Sequence, residues 1–188
     1  MQYKSIIILG GGESGTGAAL LAKAKRLSVL LSDVGMLQPK HKQELLAAGV
    51  LFEEGGHVKA YETLPDCVVK SPGIPDTADV VQHFLTQGIP VISEIEFALL
   101  YTNAKIIGIT GTNGKTTTTL LAYHLMKNCG FNVGLAGNVG HSLARQVLND
   151  VFDWYVVELS SFQLDGMFAS RIHIAILTNI TPDHLDRY

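Results

Sequence analysis

The chain has 188 residues, of which 47% are hydrophobic and 16% charged, and its formal net charge is −3. This charge gives no reason to expect a nucleic-acid partner, and no apolar run approaches the ~20 residues of a membrane span, so no membrane partner is expected either. The chain enters its first apolar run without a signal peptide, and Cys67 and Cys129 have no metal-ligand spacing. We therefore expect a cytoplasmic protein with two buried thiols.

The first predicted elements are an apolar strand, a glycine turn and a helix. Residues 5–9 form the strand and residues 16–25 the helix, and the glycines at positions 10, 12 and 15 form the pattern G-x-G-x-x-G. A second strand, residues 29–32, ends at Asp33, at the distance from the glycines that is typical of Rossmann-like nucleotide sites. Asp33 would accept from a ribose hydroxyl or a base N–H. The alternative is a tight turn with an exposed aspartate.

The rest of this first unit alternates short helices with short strands. Prolines and a glycine at positions 71–75 interrupt it, because proline cannot continue a strand ladder. The predicted helices are residues 38–48, 78–86 and 94–100, and the predicted strands are residues 51–53, 67–70 and 91–92. The segment 101–103 then marks the expected boundary between a first domain, 1–102, and a second domain, 103–188.

The second unit repeats this alternation around another glycine loop. Its predicted strands are residues 105–110, 132–136, 154–157 and 173–177, and its predicted helices are residues 116–128 and 141–148. The strands are rich in Val and Ile, so we predict a parallel sheet covered by helices. The expected fold class is α/β: a Rossmann-like parallel-sheet domain followed by a P-loop α/β ATPase domain that is shorter than a typical domain and therefore incomplete.

The strongest chemical motif lies between the first strand and helix of the second unit. Glycines at positions 108, 111 and 114 precede Lys115, in a variant of the general phosphate-loop pattern, which has glycine where this chain has Ile109. Lys115 would contact the β- and γ-phosphates of ATP, and the Thr116 hydroxyl would contact Mg²⁺. The alternative is a glycine-rich turn with an incidental lysine.

Three further polar residues follow predicted strands or end the chain. Glu158 ends an apolar strand, where a carboxylate is costly to bury unless it is paired or binds a metal, and a metal ligand is favoured; the alternative is an exposed strand end. Asn138 could contact a phosphate or sugar, or simply form a turn. His184 could ligate a second Mg²⁺ or position a phosphate, or be a solvated loop residue.

Four segments, taken together, resemble the Mur ligases, the amide-forming enzymes of peptidoglycan precursor synthesis. The segments are 71–74 (SPGI), 108–117 (GITGTNGKTT), 158–164 (ELSSFQL) and 179–188 (NITPDHLDRY). Within that family, the last two segments are similar to those of the members that add D-glutamate. The resemblance implies a ligase that joins D-glutamate to UDP-N-acetylmuramoyl-L-alanine through an acyl phosphate, with ATP and Mg²⁺.

The resemblance also implies a role for each matching residue. The residues that would contact the uridine diphosphate part are Ser14, Asp33, Ser71 and Gly73. Those that would line the path to the muramoyl-alanine end are Asn138, Ser160, Gln163 and His184. Those that would bind ATP are Gly111, Thr112, Asn113, Gly114, Lys115, Thr116 and Thr117. Thr116 and Glu158 would hold one Mg²⁺ and His184 a second, while Lys115 and His184 would be the catalytic residues.

The family has three domains, so the resemblance implies that this chain is an N-terminal piece that is inactive alone. Three other functions stay open from the residues themselves. A nicotinamide oxidoreductase would use the first glycine loop with Asp33 on the ribose, a stand-alone nucleotide-binding module would fit the short length, and a small kinase would use the second loop.

Overall fold

The computed structural model describes residues 3–170, 172–183 and 185, which form two parallel sheets with helices packed on them. The elements of the first unit are β1 (Ser5–Leu9), α1 (Glu13–Ala24), β2 (Ser28–Asp33), α2 (Pro39–Ala47), β3 (Leu51–Glu54), α3 (Val58–Tyr61), β4 (Cys67–Lys70), α4 (Asp79–Thr86), β5 (Val91–Ser93) and α5 (Glu94–Leu99). Those of the second unit are β6 (Lys105–Thr110), α6 (Lys115–Asn128), β7 (Val133–Gly137), α7 (Leu143–Val147), β8 (Trp154–Glu158), α8 (Ser161–Leu164) and β9 (Ile174–Leu177).

The first sheet has the strand order β3-β2-β1-β4-β5, and every neighbouring pair is parallel. Its central strands are apolar on both faces, because helices cover both sides of the sheet. The order reverses between β1 and β4, and in such sheets ligands bind at the carboxyl ends of the strands at this switch point. Gly10 follows β1 and Ser71 follows β4, so both residues lie at this position.

The second sheet has the order β7-β8-β6-β9 and is also parallel throughout. The glycine loop follows β6 and runs into α6, the longest helix of the second unit among the described residues. Glu158 ends β8, the neighbour of β6, so the loop and this carboxylate lie at the same edge of the sheet. The predicted α/β fold class with parallel sheets is confirmed.

The two units share one hydrophobic core. It contains Ile8 and Ala18 from the first unit and Ala144 and Val157 from the second. Helix α1 lies so close to α7 that a Cβ atom on Gly17 would be 2.2 Å from the Ser142 Oγ atom. The first unit therefore packs directly on the second through α1, α5 and α7.

Several details of the structure differ from the sequence prediction. Helix α1 begins at Glu13, three residues before the predicted start, and the four-residue helices α3 and α8 were not predicted. Cys67 is buried as expected, but the prediction for Cys129 was wrong, since it is exposed just after α6. Across the described part of the chain, every helix is too short or too polar to cross a membrane.

Part of the second unit presents apolar side chains to solvent. In α6 only Thr119 is fully buried, while Leu120, Leu121 and Leu125 are each between 43% and 55% exposed. The edge strand β9 is mostly exposed too, with Leu177 at 57%.

Candidate functional site

A cavity of about 580 Å³ opens where the two units meet. Pro72 and Gly73 line it from the first unit, and Gly111, Lys115 and Ser160 are among the residues that line it from the second. Its walls thus combine the loop after β4 with the glycine loop after β6. A cavity of this size is in the range of small-molecule sites in proteins.

The glycine loop has a backbone that only glycine adopts easily. Gly111 has φ of 136° and Gly114 has φ of 82°. A Cβ atom on Gly111 would also lie 2.1 Å from the Thr178 Oγ1 atom, so this position has no room for a side chain. Ile109, which replaces the glycine of the general pattern, is fully buried within β6, and its side chain therefore packs in the core and not in the loop.

Lys115 and the N-terminus of α6 form the cationic side of this loop. The Lys115 Nζ atom donates to the carbonyls of Gly111 (2.6 Å) and Thr112 (2.9 Å). Helix α6 begins at Lys115 with Gly114 as its N-cap, so its first N–H groups have no side-chain cap. Such free N–H groups favour an anion. Thr116 and Thr117 in the first turn are exposed.

The segment after β9 is hydrogen-bonded to the tip of the loop. The Asn179 side chain accepts from the Asn113 N–H (3.0 Å) and donates to the Asn113 carbonyl (2.9 Å). Thr112 is held in the same way, since its Oγ1 donates to the Thr181 carbonyl (3.0 Å) and accepts from the Thr181 N–H (2.9 Å). Sequence reasoning assigned Thr112 and Asn113 to the site but not Asn179 or Thr181. The signal was the polar run directly after a strand that neighbours β6.

Asn138 and Glu158 lie together at the carboxyl edge of the second sheet. The Asn138 Nδ2 atom donates to Glu158 Oε1 at 2.9 Å, and Gly137 lets the two strands approach, since a Cβ there would be 2.2 Å from the Glu158 carbonyl. Glu158 is 1% exposed and its Oε2 atom has no hydrogen-bond partner in the described structure. A buried carboxylate oxygen without a partner fits a metal ligand, because burial without compensation is costly.

The described residues contain no group of three or more His, Cys, Asp or Glu side chains that could hold a metal. A magnesium ion here would therefore take Glu158, the Thr116 hydroxyl, phosphate oxygens and water, the oxygen ligands that Mg²⁺ prefers. His184, the predicted ligand of a second ion, lies outside the described residues.

Ser160 and Gln163 form a capping box at the start of α8. The Ser160 Oγ atom accepts from the Gln163 N–H (3.3 Å), and Gln163 Oε1 accepts from the Ser160 N–H (2.9 Å). Ser160 lines the cavity, whereas Gln163 is 5% exposed. The geometry gives Gln163 the role of fixing α8, which presents Ser160, Ser161 and Phe162 to the cavity.

The first glycine loop packs on the loop after β4. Ser14 and Ser71 place their Oγ atoms 3.5 Å apart, and a Cβ on Gly10 would lie 2.6 Å from the Ser71 Oγ. A Cβ on Gly15 would lie 1.8 Å from the Gly10 carbonyl, whereas one on Gly12 would meet nothing within 4 Å. The first and last glycines of the pattern are thus required by the fold, while Gly12 leaves open space above the loop.

Asp33 is engaged by backbone N–H groups. Its Oδ2 atom accepts from Gly11 (2.5 Å) and its Oδ1 atom from Gly35 (2.7 Å). It therefore closes the glycine loop against the end of β2, at the place where the sequence predicted a nucleoside contact.

Lys70, which the sequence reasoning missed, holds the loop that carries Ser71 and Gly73. Its Nζ atom donates to the Ile74 carbonyl (2.7 Å) and pairs with Asp76 (2.8 Å), while its side chain is 7% exposed. Burial of the Lys70 ammonium is tolerated because a carbonyl and a carboxylate of the following loop both pair with it.

Carboxylates of the first unit bind backbone N–H groups of the second. Glu94 Oε1 accepts from Ala144 (2.5 Å), and Glu96 accepts from Ala169 (2.9 Å) and Ser170 (3.2 Å). Burial raises the pKa of the Glu94 carboxyl to about 7; the Ala144 N–H opposes this shift and the nearby Glu13 charge adds to it.

Arg145 adds an ion-pair network to the same interface. Its guanidinium binds Glu13 (2.8 Å) in α1 and Glu44 (2.7 Å) in α2. Burial tends to raise the pKa of Glu13, but the hydrogen bond and charge of Arg145 outweigh it, so the pKa of Glu13 lies below its ordinary value.

The sequence has close relatives of known name. Residues 109–188 match the Mur ligase middle domain. The chain is 56% identical to the UDP-N-acetylmuramoylalanine–D-glutamate ligase of Bacteroides fragilis over 98% of its own length and 42% of that protein's. The ligase of the same name from Porphyromonas gingivalis is 56% identical over 97% of this chain and 41% of its own length. The chain thus spans about 42% of the length of the curated relatives it matches.

Solved structures agree on the fold. A UDP-N-acetylmuramate:L-alanyl-gamma-D-glutamyl-meso-diaminopimelate ligase from Neisseria meningitides superposes with a TM-score of 0.65 at 26% identity, over 100% of this chain and 64% of that one. A UDP-N-acetylmuramate-alanine ligase from Thermotoga maritima superposes with a TM-score of 0.61 at 21% identity, over 100% of this chain and 44% of that one, which concerns the fold alone.

Proposed function

We propose, from the premise that this chain belongs to the Mur ligase family, that its parent protein is an ATP-dependent ligase of peptidoglycan precursor synthesis. The reaction is the addition of D-glutamate to UDP-N-acetylmuramoyl-L-alanine, in the cytoplasm. The observation that carries the proposal is the cavity that Gly73 of the first unit lines together with Lys115 and Ser160 of the second. The chain that forms this cavity is 56% identical, over 98% of its length, to a UDP-N-acetylmuramoylalanine–D-glutamate ligase.

The two units divide the substrates between them. Residues 1–102 form the domain for the uridine nucleotide, with Ser14, Asp33, Ser71 and Gly73 around it. Residues 103–188 belong to the ATP domain, in which residues 111–117 wrap the phosphates. The open space above Gly12 supports this assignment, because a pyrophosphate can approach the backbone there.

The site also suits a magnesium ion. Thr116 and Glu158 would hold it, with His184 available for a second ion. When bound, the ion neutralises phosphate charge and orients the γ-phosphate for attack. Asn138 occupies one Glu158 oxygen and so directs the unpartnered Oε2 atom to this task.

The chemical step requires two anions to meet. The alanine carboxylate attacks the γ-phosphorus to give an acyl phosphate and ADP, and the D-glutamate amine then displaces phosphate to form the amide. At 4 Å two unit charges repel by roughly 4 kcal/mol at an effective dielectric constant near 20, which would slow the step about a thousandfold. Lys115 lies at the cavity wall and offsets this repulsion.

D-Glutamate recruitment is assigned to the remainder of the parent protein. The chain spans about 42% of its relatives' length, so we expect amide formation from the complete protein and not from this chain alone. Gln163 fixes α8, and Ser160 on the cavity wall faces the muramoyl-alanine end.

Calorimetric titration of this chain with UDP-N-acetylmuramoyl-L-alanine, NADH and UDP tests the nucleotide assignment. We expect the muramoyl compound to bind more tightly than UDP, and NADH not to bind. D-Glutamate-dependent release of ADP by the complete protein tests the reaction. Binding of NADH alone, with no such release, would instead support a nicotinamide oxidoreductase.

A further inference from the structure

The peptide of Asn113 is the exposed tip of the glycine loop, and one side chain satisfies both of its backbone groups. Asn179 Oδ1 accepts from the Asn113 N–H at 3.0 Å, and Asn179 Nδ2 donates to the Asn113 carbonyl at 2.9 Å. The side-chain amide thus accepts from and donates to the backbone of a single residue, as a residue of an adjacent β-strand does. The two residues are 66 positions apart, so this pairing forms only in the folded protein.

The backbone around Asn179 adds two more contacts to the loop. The Asn179 carbonyl accepts from the Thr112 N–H at 3.0 Å, and Thr178 Oγ1 lies 2.7 Å from the Asn113 carbonyl. All four contacts are made to Thr112 and Asn113. None of these four contacts involves Lys115 or the first turn of α6, the groups that are assigned to the phosphates.

The loop needs such an external fastening because of its own composition. Asn113 stands between Gly111 and Gly114, which have φ of 136° and 82°, and glycine has more backbone freedom to lose than any other residue. Lys115 depends on the same shape, since its ammonium is held by the carbonyls of Gly111 and Thr112. Movement of Asn113 would therefore displace the lysine together with the N–H groups.

We propose that Asn179 is a positioning residue that holds the glycine loop in its phosphate-binding shape. This inference rests on the assignment of the loop to ATP. In this proposal Asn179 takes no direct part in the reaction. It connects the glycine loop to the segment that runs on to Asp183.

The test compares Asn179→Ala and Asn179→Asp with Asn132→Ala in the complete protein. Asn132 is the matched control, because its side-chain amide also donates to a backbone carbonyl, that of Val151 (2.8 Å), at the start of β7 and away from the loop. The measurements are the Kd of a fluorescent ATP analogue with Mg²⁺, the KM values for ATP and for UDP-N-acetylmuramoyl-L-alanine, and the thermal midpoint.

We expect the alanine variant to raise the Kd for the nucleotide about tenfold, since two hydrogen bonds that order the loop are lost. The aspartate variant should raise it about a hundredfold, because one carboxylate oxygen faces the Asn113 carbonyl and adds negative charge near the phosphates. In both Asn179 variants the KM for ATP should rise in parallel with the Kd, while the KM for the UDP substrate should stay within about twofold of wild type. In the Asn132→Ala control both KM values should stay within about twofold of wild type.

Three outcomes would overturn the inference: an unchanged nucleotide Kd, an equal rise in both KM values, or loss of the fold in both Asn179 variants but not in Asn132→Ala. If wild type binds the nucleotide but forms no amide with D-glutamate, the proposed reaction fails and the Kd comparison still decides the role of Asn179. If wild type does not bind the nucleotide, both proposals fall.

Discussion

Asn138 holds Glu158 by two hydrogen bonds, one from its side chain to the carboxylate (2.9 Å) and one from its backbone N–H to the Glu158 carbonyl (3.0 Å). The turn after β7 thereby fixes the end of β8. Because one carboxylate oxygen is taken and the other has no partner among the described residues, the pair orients Glu158 before any ligand arrives.

If Glu158 holds magnesium as proposed, replacement of Asn138 by alanine should raise the Mg²⁺ concentration that half-activates the complete protein. Loss of a residue that orients a metal ligand typically costs about 10- to 100-fold in metal affinity or activity. A Mg²⁺ titration of D-glutamate-dependent ADP release by the complete protein measures the half-activating concentration, with Asn132→Ala as control. The same concentration in Asn138→Ala and wild type would contradict a metal at Glu158.

Replacement of Lys115 by alanine should abolish amide formation and leave the binding of the uridine substrate nearly intact. Lys115 lies on the glycine loop of the second unit, whereas the proposed uridine contacts lie in the first, so we expect its charge to act on the reacting anions and not on the uridine end. We expect a rate loss of about a thousandfold or more. Calorimetry of Lys115→Ala with UDP-N-acetylmuramoyl-L-alanine checks that binding of the uridine substrate is retained. Loss of this binding would refute the division of substrates between the units.

Two glycines of the first loop should respond in opposite ways to a single methyl group. In Gly15→Ala the new Cβ meets the Gly10 carbonyl at 1.8 Å, so the fold should lose stability. In Gly12→Ala the methyl group meets no protein atom within 4 Å, so stability should be kept and affinity for the uridine substrate lost. Urea unfolding and calorimetry of both variants separate the effects. Tight substrate binding by Gly12→Ala would place the pyrophosphate elsewhere.

The buried carboxyl of Glu94 should make stability fall as the pH rises towards neutrality. Its folded pKa of about 7 lies above the ordinary 4.5, so the folded state holds a proton that the unfolded chain releases. The stabilisation that comes from this protonated carboxyl is fully present below pH 4.5 and is lost as the pH rises past 7. Its loss lowers the free energy of unfolding by on the order of 3 kcal/mol.

Urea unfolding of wild type and Glu94→Gln between pH 5 and pH 8 tests this, with the exposed Glu62→Gln as the matched control. The free energy of unfolding should fall between pH 5 and pH 8 in wild type and in Glu62→Gln, and this fall should be smaller in Glu94→Gln. Parallel curves for all three proteins would mean that Glu94 is ionised in the folded state throughout.

The sequence predicted the parallel sheets because their signals are local. Residues 105–110 were predicted as a strand and form β6 with the same bounds, since an apolar run followed by glycines is a pattern of neighbouring residues. The helices α3 and α8 were missed because four residues are too few to show a helical period.

The contacts that shape the site could not be predicted in this way. Asn179 binds Asn113 over 66 positions and Glu94 binds Ala144 over 50, and in both pairs one partner is a backbone group with no sequence signature. The loop itself was predictable because its glycines, lysine and threonines are contiguous. The contacts that hold the loop were not predictable, because every residue offers a backbone carbonyl and every residue but proline an N–H.

The interface between the units accepts mutation unequally on its two sides. Glu94 and Glu96 contribute side chains, while Ala144, Ala169 and Ser170 contribute only main-chain N–H groups. Ala169 and Ser170 lie outside the shared core, so any residue but proline can supply their N–H groups and these two side chains can change without loss of the contact. In the first unit a single substitution of Glu96 removes both contacts, so sequence drift at these two contacts should be confined to the second unit.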